Sequence, residues 1–259
     1  MNRRAFLQHL IQTGLLAAGS GITGASLAAE GTPGPRYVQF EFAQLQYRGG
    51  DWDPRPMAVP PLIDELMRRT SVVASKQRRV VRLTDSKLFS FPFLYIAGKY
   101  DFQPFSEEEI ETLRRFLSFG GFLLADNSLG QMGYGFDKSL RREMKRLLPG
   151  KEFRKIPLTH AALRSYYLIR RIGGRVATTP YIEGIQLGET TPVVYCHNDL
   201  GGAWEKNALG KWMNQCTPGG EQQRRDAFHL GINLILYAMT GNYKQDLIHV
   251  PFIRRRLTQ

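Results

Sequence analysis

Polar and aromatic residues follow several of the predicted β-strands, at the point where each strand ends. Carboxylates that are brought together can hold a hard cation through oxygen ligands, or one of them can act as a general acid or base. Aromatic rings beside carboxylates also suit a sugar ring, because its C–H face stacks while its hydroxyl groups find acceptors. The residues that we expect to line a ligand-binding cleft are Asp51, Trp52, Tyr100, Asp101, Asp126, Asn127, Asp199 and Trp204.

Three residues of these loops, Asp126, His197 and Asp199, are the candidates for catalysis. A general base needs a carboxylate or an imidazole that is placed close to the reacting group. The competing interpretation is that Asp and Asn are ordinary loop residues, which cap helices and form turns. In that interpretation Trp52 and Trp204 pack over loop backbone instead of contacting a ligand.

The sequence contains two cysteines, Cys196 and Cys216. They could form a disulfide in an oxidising compartment, or Cys196 could stay a buried free thiol. Cys196 and His197 are neighbours in a predicted strand and point to opposite faces, which disfavours a nucleophile–base pair. No cysteine spacing is typical of a metal site, so we predict no metal ligands. The Gly-rich segment 130–135 matches no nucleotide-binding motif, and the identity of any cofactor stays open.

Strands and helices alternate through the first half of the chain. Apolar runs and alternation predict strands at Tyr37–Tyr47, Val80–Leu83, Phe91–Gly98 and Phe122–Ala125. The first helix is predicted to start at Pro60 and Pro61. Ser106 and Glu109 have the spacing of a capping box that starts a second helix. Asp137 is predicted to cap a third, which ends at Pro149.

The second half is less regular. Ile182–Leu187 and Pro192–Cys196 are predicted to be strands joined by a turn at Gly188. A long helix is predicted from Glu221 to Thr240, with Gly241 as its stop. The alternation of strands and helices predicts an α/β fold with a mostly parallel sheet covered on both sides. We expect one domain over residues 37–243, with a hairpin inserted after Ile156.

The N-terminal segment resembles a twin-arginine export signal. Arg3 and Arg4 precede a mildly apolar stretch without acidic residues, and Ser26-Leu27-Ala28 is a small-x-small cleavage pattern. We therefore predict a signal peptide at residues 1–28, a linker at 29–36 and a periplasmic or otherwise exported mature protein. A chance arginine pair and an uncleaved anchor are the alternatives.

The chain carries a formal net charge of +12. Its basic residues are spread over several predicted elements and over a C-terminal tail at residues 244–259, so they form no nucleic-acid-binding groove. In an exported protein they could contact an anionic membrane or cell-wall surface. No apolar run after residue 28 is long enough to cross a bilayer, so we predict no transmembrane span in the mature chain.

Four residue strings resemble a bacterial family known as a domain of unknown function. They are Leu45-x-Tyr47-x-Gly49-Gly50-Asp51-Trp52, Phe91-Pro92-Phe93-Leu94-Tyr95, Gly120-Gly121-Phe122-Leu123-x-Ala125-Asp126 and Asp199-Leu200-Gly201-Gly202-x-Trp204-Glu205. The resemblance spans residues 37–243. The family is itself similar to the class I glutamine-amidotransferase-like superfamily, which implies a flavodoxin-like, three-layer α/β/α sandwich.

The resemblance implies a fold more than an activity. Amidotransferases place a nucleophilic cysteine in a Gly-x-Cys-x-Gly elbow and use a later His-x-Glu, and this sequence contains neither pattern. Ser128 follows the corresponding strand but lacks the flanking glycines. Our leading hypothesis is therefore a non-catalytic module that binds a carbohydrate or a protein partner at the strand-end cleft. The alternative is a periplasmic hydrolase, which could use a metal ion. In a third interpretation, the basic helices are docking faces for a membrane complex.

Overall fold

The computed structural model describes residues 39–245, with side chains described for residues 39–240. The predicted signal peptide and linker lie outside these residues, as does the predicted tail from residue 246 onward. The strands are β1 (Ala43–Leu45), β2 (Arg79–Val81), β3 (Phe93–Gly98), β4 (Phe122–Asn127), β5 (Arg154–Lys155), β6 (Glu183–Leu187) and β7 (Thr190–Cys196). The helices are α1 (Val59–Arg69), α2 (Glu107–Ser118), α3 (Phe136–Leu147), α4 (Leu200–Trp204) and α5 (Gly220–Gln245).

The strands form one seven-stranded sheet in the order β2-β1-β3-β4-β7-β6-β5. Parallel pairs join β2 to β1, β1 to β3, β3 to β4 and β4 to β7. β6 is antiparallel to both β7 and β5. The prediction of an α/β fold with a mostly parallel sheet is therefore confirmed. The parallel strands all end at one edge of the sheet, and their following loops meet there.

Alternate residues of the central strands pack on opposite faces of the sheet. Phe93 and Tyr95 of β3 join one buried cluster, which also contains the apolar residues of α1 and α5. Leu94 and Ile96 join a second cluster, which contains those of α2 and α3. The continuous apolar runs in β3 and β4 reflect this burial on both faces.

The helix starts follow the sequence signals with one correction. α2 begins with the predicted capping box, in which Ser106 accepts a hydrogen bond from the Glu109 N–H and the Glu109 carboxylate accepts one from the Ser106 N–H. The prediction that Asp137 caps α3 was wrong, because Gly135 is the capping residue and Asp137 lies in the first turn. Asp137 instead accepts a hydrogen bond from the Gly133 N–H at 2.6 Å.

Two further boundaries differ from the prediction. The first strand is shorter than predicted, because regular pairing covers only Ala43–Leu45, with an isolated bridge between Phe40 and Ala74. α5 does not stop at Gly241 but continues to Gln245. The hairpin of β6 and β7 forms as predicted. Among the described residues, no helix has the length and hydrophobicity needed to cross a membrane.

Candidate functional site

Asp126 lies at the carboxyl end of β4 and is fully buried. Its Oδ2 accepts hydrogen bonds from the Tyr95 hydroxyl at 2.7 Å and from the Gly201 N–H at 2.8 Å. Its Oδ1 accepts one from the Leu200 N–H at 2.9 Å. These two backbone N–H groups belong to the first turn of α4, where no intrahelical partner exists for them. Asp126 thus ties β3 and β4 to the start of α4.

Asp199 caps the same helix from the loop after β7. Its backbone is left-handed, with φ of 54°, a conformation that Asp tolerates better than most residues. Its Oδ1 accepts a hydrogen bond from the Gly202 N–H at 2.9 Å. Its Oδ2 accepts hydrogen bonds from Arg55 Nη2 at 2.5 Å and from Arg175 Nε. Two guanidinium groups therefore surround one buried carboxylate.

Arg55 connects the loop after β1 to the segment that follows α4. Its Nη1 lies 3.6 Å from Glu205 Oε2 and 3.4 Å from Asn214 Oδ1. Asn214 in turn donates a hydrogen bond to the Gly202 carbonyl at 3.1 Å. The ionic network of Asp199, Arg55, Arg175 and Glu205 thus spans the carboxyl ends of the parallel strands.

The electrostatics of Asp126 follow from its burial. Loss of water raises the pKa of Asp126, and the negative charge of Asp199 raises it as well, whereas the hydrogen bonds from Gly201, Leu200 and Tyr95 lower it. The net result is a pKa of about 6. The hydroxyl of Tyr95 is also fully buried beside Asp126, and its pKa lies well above the ordinary value for the same reason. A carboxyl group with this pKa gains or loses its proton close to neutral pH.

The two central carboxylates have their oxygens occupied by donors from the protein itself. Asp126 accepts from one hydroxyl and two N–H groups, and Asp199 accepts from one N–H group and two guanidinium groups. In the described part of the chain, no group of three or more His, Cys, Asp or Glu side chains is placed to hold a metal ion. The arrangement serves to fix α4 and the residues that follow it.

His197 is not brought to Asp126, because it faces the other side of the sheet. Tyr195 packs in the cluster of α2 and α3, whereas Cys196 packs in that of α1 and α5. The His197 ring lies against the Tyr195 ring in a tilted arrangement, with 4.2 Å between the ring centroids. His197 Nε2 lies 2.9 Å from Glu183 Oε2. Burial would raise the pKa of Glu183, but hydrogen bonds from His197 and Arg141 lower it below its ordinary value. His197 therefore belongs to a separate buried ion cluster.

The other predicted ligand residues have local partners. Asp51 pairs with Lys99 at 3.5 Å, and Asp101 accepts a hydrogen bond from the Ser139 hydroxyl at 3.1 Å. The Asn127 side chain donates a hydrogen bond to the Gln131 carbonyl at 2.8 Å, within the loop that follows β4. Two of the predicted aromatic residues keep exposed surface at this edge: Trp52, which is half-buried, and Tyr100, which is exposed.

Trp204 does not reach the surface. Its side chain is fully buried, and its indole N–H donates to the Ala227 carbonyl of α5 at 3.1 Å. A ligand at the strand ends would have no face of this ring to stack on. Trp204 anchors α4 to α5 instead.

Both cysteines are free and buried. Burial raises the pKa of the Cys196 thiol well above its ordinary value, and that of Cys216 is raised as well. A thiol with a raised pKa is a poor nucleophile because little thiolate is present at neutral pH. Cys196 acts as an apolar core residue at the end of β7.

A hairpin at residues 205–214 is the feature that the sequence reasoning missed. Lys206 and Trp212 form an antiparallel bridge, and the Asn207 N–H donates to the Lys211 carbonyl at 2.9 Å. Leu209 lies at its tip. The signal that could have found it is the Asn207-to-Gly210 segment, because Asn and Gly are residue types that favour a turn.

The hairpin exposes apolar side chains. Leu209 is 82% exposed, Met213 56% and Trp212 37%. Met57, which is 44% exposed, approaches the base of the hairpin, where the Met57 N–H donates to Glu205 Oε1 at 3.5 Å and the Met213 N–H donates to the Glu205 carbonyl at 3.1 Å. We call the hairpin together with Met57 the apolar hairpin surface.

Comparison with known proteins supports the family suggested by the sequence. No curated protein matches the chain. Residues 41–239 match the model of a family described as a domain of unknown function, DUF4159. Because the match covers β1 to α5, the chain belongs to the DUF4159 family.

Proposed function

We propose that this domain is a non-catalytic binding module that holds a protein partner on the apolar hairpin surface, at the strand-end edge of the sheet. The observation that carries the proposal is the set of exposed apolar side chains on a hairpin whose base is held in place by buried ion pairs. Exposed apolar side chains that share one loop are candidates for an interaction site on a protein surface. Loops that carry binding residues on a rigid scaffold are the usual arrangement for recognition.

A protein partner fits this surface better than a carbohydrate. Sugar recognition at the strand ends was expected to use Trp52 and Trp204, and the burial of Trp204 removes one of the two rings. Met and Trp side chains are enriched in the centres of protein interfaces. Leu209 and Met213 supply flexible apolar contact without polar groups that a sugar would need.

A hydrolase is the second candidate, and Asp126 is its specific support. A carboxyl group whose pKa is raised to about 6 can donate or accept a proton near neutral pH. However, both carboxylate oxygens are already bonded to Tyr95 and α4. A substrate would have to displace these partners, so we rank this function second.

We also propose that the protein acts after export through the twin-arginine route and that its domain shares the flavodoxin-like, three-layer plan of the amidotransferase-like superfamily. The support for the first is the Arg3-Arg4 segment. The support for the second is the order β2-β1-β3-β4-β7 and the packing of helices against both faces of the sheet.

Quantitative affinity enrichment tests the binding proposal. We compare the wild-type protein, a Leu209→Asp/Met213→Asp variant and a control variant, Leu158→Asp/Leu168→Asp, which places two charges on exposed apolar residues of another loop. We expect a partner that wild type and control enrich equally and that the hairpin variant enriches at least about tenfold less, since buried interface charges weaken binding. Equal enrichment by all three proteins would contradict the proposal.

A further inference from the structure

A cavity of about 440 Å³ adjoins the hairpin, between α1 and the first turns of α5. Its apolar walls are Pro61, Trp212 and Phe228. Its basic side chains are Arg68, Arg69, Lys206, Arg224 and Arg225, and its acidic side chains are Asp64, Glu65 and Glu221. The cavity therefore combines apolar walls with an excess of positive charge.

The acidic side chains of the cavity are all engaged with cations. Asp64 pairs with Lys76 at 2.7 Å, outside the cavity lining. Glu65 pairs with both Arg68 and Arg69. Glu221 pairs with Arg224 at 3.0 Å. None of these carboxylates is left to neutralise the remaining basic groups.

Lys206 and Arg225 are the two cations of this cavity without a carboxylate partner among the described residues. The Lys206 ammonium lies 4.2 Å from the centre of the Trp212 ring. Arg225 is exposed and donates a hydrogen bond to the neutral Gln222 side chain at 2.5 Å. Charge complementarity therefore favours an anionic ligand at these two side chains.

Trp212 is poorly placed to stack a sugar. The Arg224 guanidinium also lies 4.2 Å from the centre of its ring, in addition to Lys206. Cations over the ring occupy the electron-rich face that a sugar C–H face would use. The ring edge and Phe228 remain as apolar contacts for a ligand.

We infer that this cavity binds an acidic segment of a partner polypeptide, with its carboxylates at Lys206 and Arg225 and its apolar side chains against Trp212 and Phe228. The inference rests on the proposed function, because Lys206 and Trp212 belong to the hairpin that we assign to partner binding. A polypeptide supplies both carboxylates and apolar side chains at neighbouring positions. An extended chain can also continue from the cavity onto Leu209 and Met213.

Fluorescence anisotropy with defined peptides tests the inference. The probe is a short fluorescein-labelled peptide in which Glu and Leu alternate, and the matched probe replaces each Glu by Gln. We expect the Glu peptide to bind the full chain and to bind a Lys206→Gln/Arg225→Gln variant at least about tenfold more weakly. A Lys138→Gln/Lys145→Gln variant, which removes two exposed charges from α3, should bind as wild type does.

Further variants and probes separate the loss of the two charges from a loss of the folded structure as the cause of weaker peptide binding. A Lys206→Arg/Arg225→Lys variant keeps both charges and should restore binding, whereas loss of binding there would contradict the charge argument. Equal binding of the Glu and Gln peptides would overturn the inference. Tighter binding of a polyuronate oligosaccharide, with the same sensitivity to the Gln variant, would overturn the assignment to a polypeptide.

The outcome is distinguishable from failure of the proposed function. If Leu209→Asp/Met213→Asp abolishes partner enrichment but Lys206→Gln/Arg225→Gln changes neither enrichment nor peptide binding, the cavity inference fails and the hairpin surface stands. If the hairpin variant enriches the partner normally, the proposed function fails whatever the peptides do.

Discussion

Asp126 shows how one buried residue sets the electrostatics of the strand ends. The charge of Asp126 acts on the pKa of Tyr95, Cys196 and Arg55, and the charge of Asp199 acts on the pKa of Asp126. Three donors favour its ionised form, but the loss of water opposes them and prevails, and the charge of Asp199 adds to that loss. The folded protein therefore holds a proton on Asp126 that the unfolded chain would release at lower pH.

An Asp126→Asn variant should change how stability depends on pH. Because the folded-state pKa is about 6 and the ordinary value is 3.8, the folded state binds more protons between these values, and stability falls as pH rises through this window. Asn cannot ionise, so the free energy of unfolding of the variant should not show this fall. Relative to that of the wild type, it should therefore rise by about 1–3 kcal/mol between pH 4 and pH 7. Thermal or urea unfolding at several pH values measures this difference. A constant difference across the range would contradict the raised pKa.

At the scale of elements, the ionic network holds α4 and the 205–214 hairpin against the loop after β1. Arg55 bonds to Asp199, Asn214 and Glu205, and Arg224 donates to the Asn214 carbonyl at 2.7 Å. The hairpin is thus fixed at its base while its tip stays exposed. A rigid base lowers the entropy that a loop loses when it binds a partner.

Removal of Arg55 should loosen the hairpin. An Arg55→Ala variant leaves Glu205 without its cation and Asp199 with only Arg175, and it should destabilise the protein by about 3 kcal/mol. Arg48→Ala is the control, because the Arg48–Glu109 pair is on the surface and is worth about 0–1 kcal/mol.

Urea unfolding measures the loss of stability in each of the two variants. In hydrogen-exchange experiments, the amides of residues 205–214 should exchange faster in Arg55→Ala but not in Arg48→Ala. Similar losses of stability for the two variants, with unchanged exchange in the hairpin, would show that the network does not hold it.

Much of this arrangement of elements was predictable from local sequence. The apolar runs of β3 and β4 are long enough to identify buried strands, and the Ser106–Glu109 spacing identifies the start of α2. The network was not predictable, because Arg55 and Asp199 are 144 positions apart and their pairing leaves no local pattern. The same holds for Trp204, since an aromatic residue after a strand end can face the core or the solvent.

For the whole molecule, we propose that binding takes place outside the cytoplasm, and the Arg3-Arg4 segment is the support for this proposal. An Arg3→Lys/Arg4→Lys variant should keep the protein in the cytoplasm in its uncleaved form, because the twin-arginine route reads the arginine pair. Cell fractionation and intact mass measure the outcome, and we expect the wild-type periplasmic protein to begin at Ala29. A variant that is exported and cleaved as efficiently as wild type would contradict the proposed route.

The central claim is that the 205–214 hairpin is the surface that a protein partner covers. Site-specific photo-crosslinking in producing cells tests it most directly, with a photoreactive amino acid at position 209 and, as a control, at the exposed position 168. We predict one discrete protein adduct from position 209, lost when Met213→Asp is added, and no such adduct from position 168. The same adducts from both positions, or none from position 209, would contradict the account.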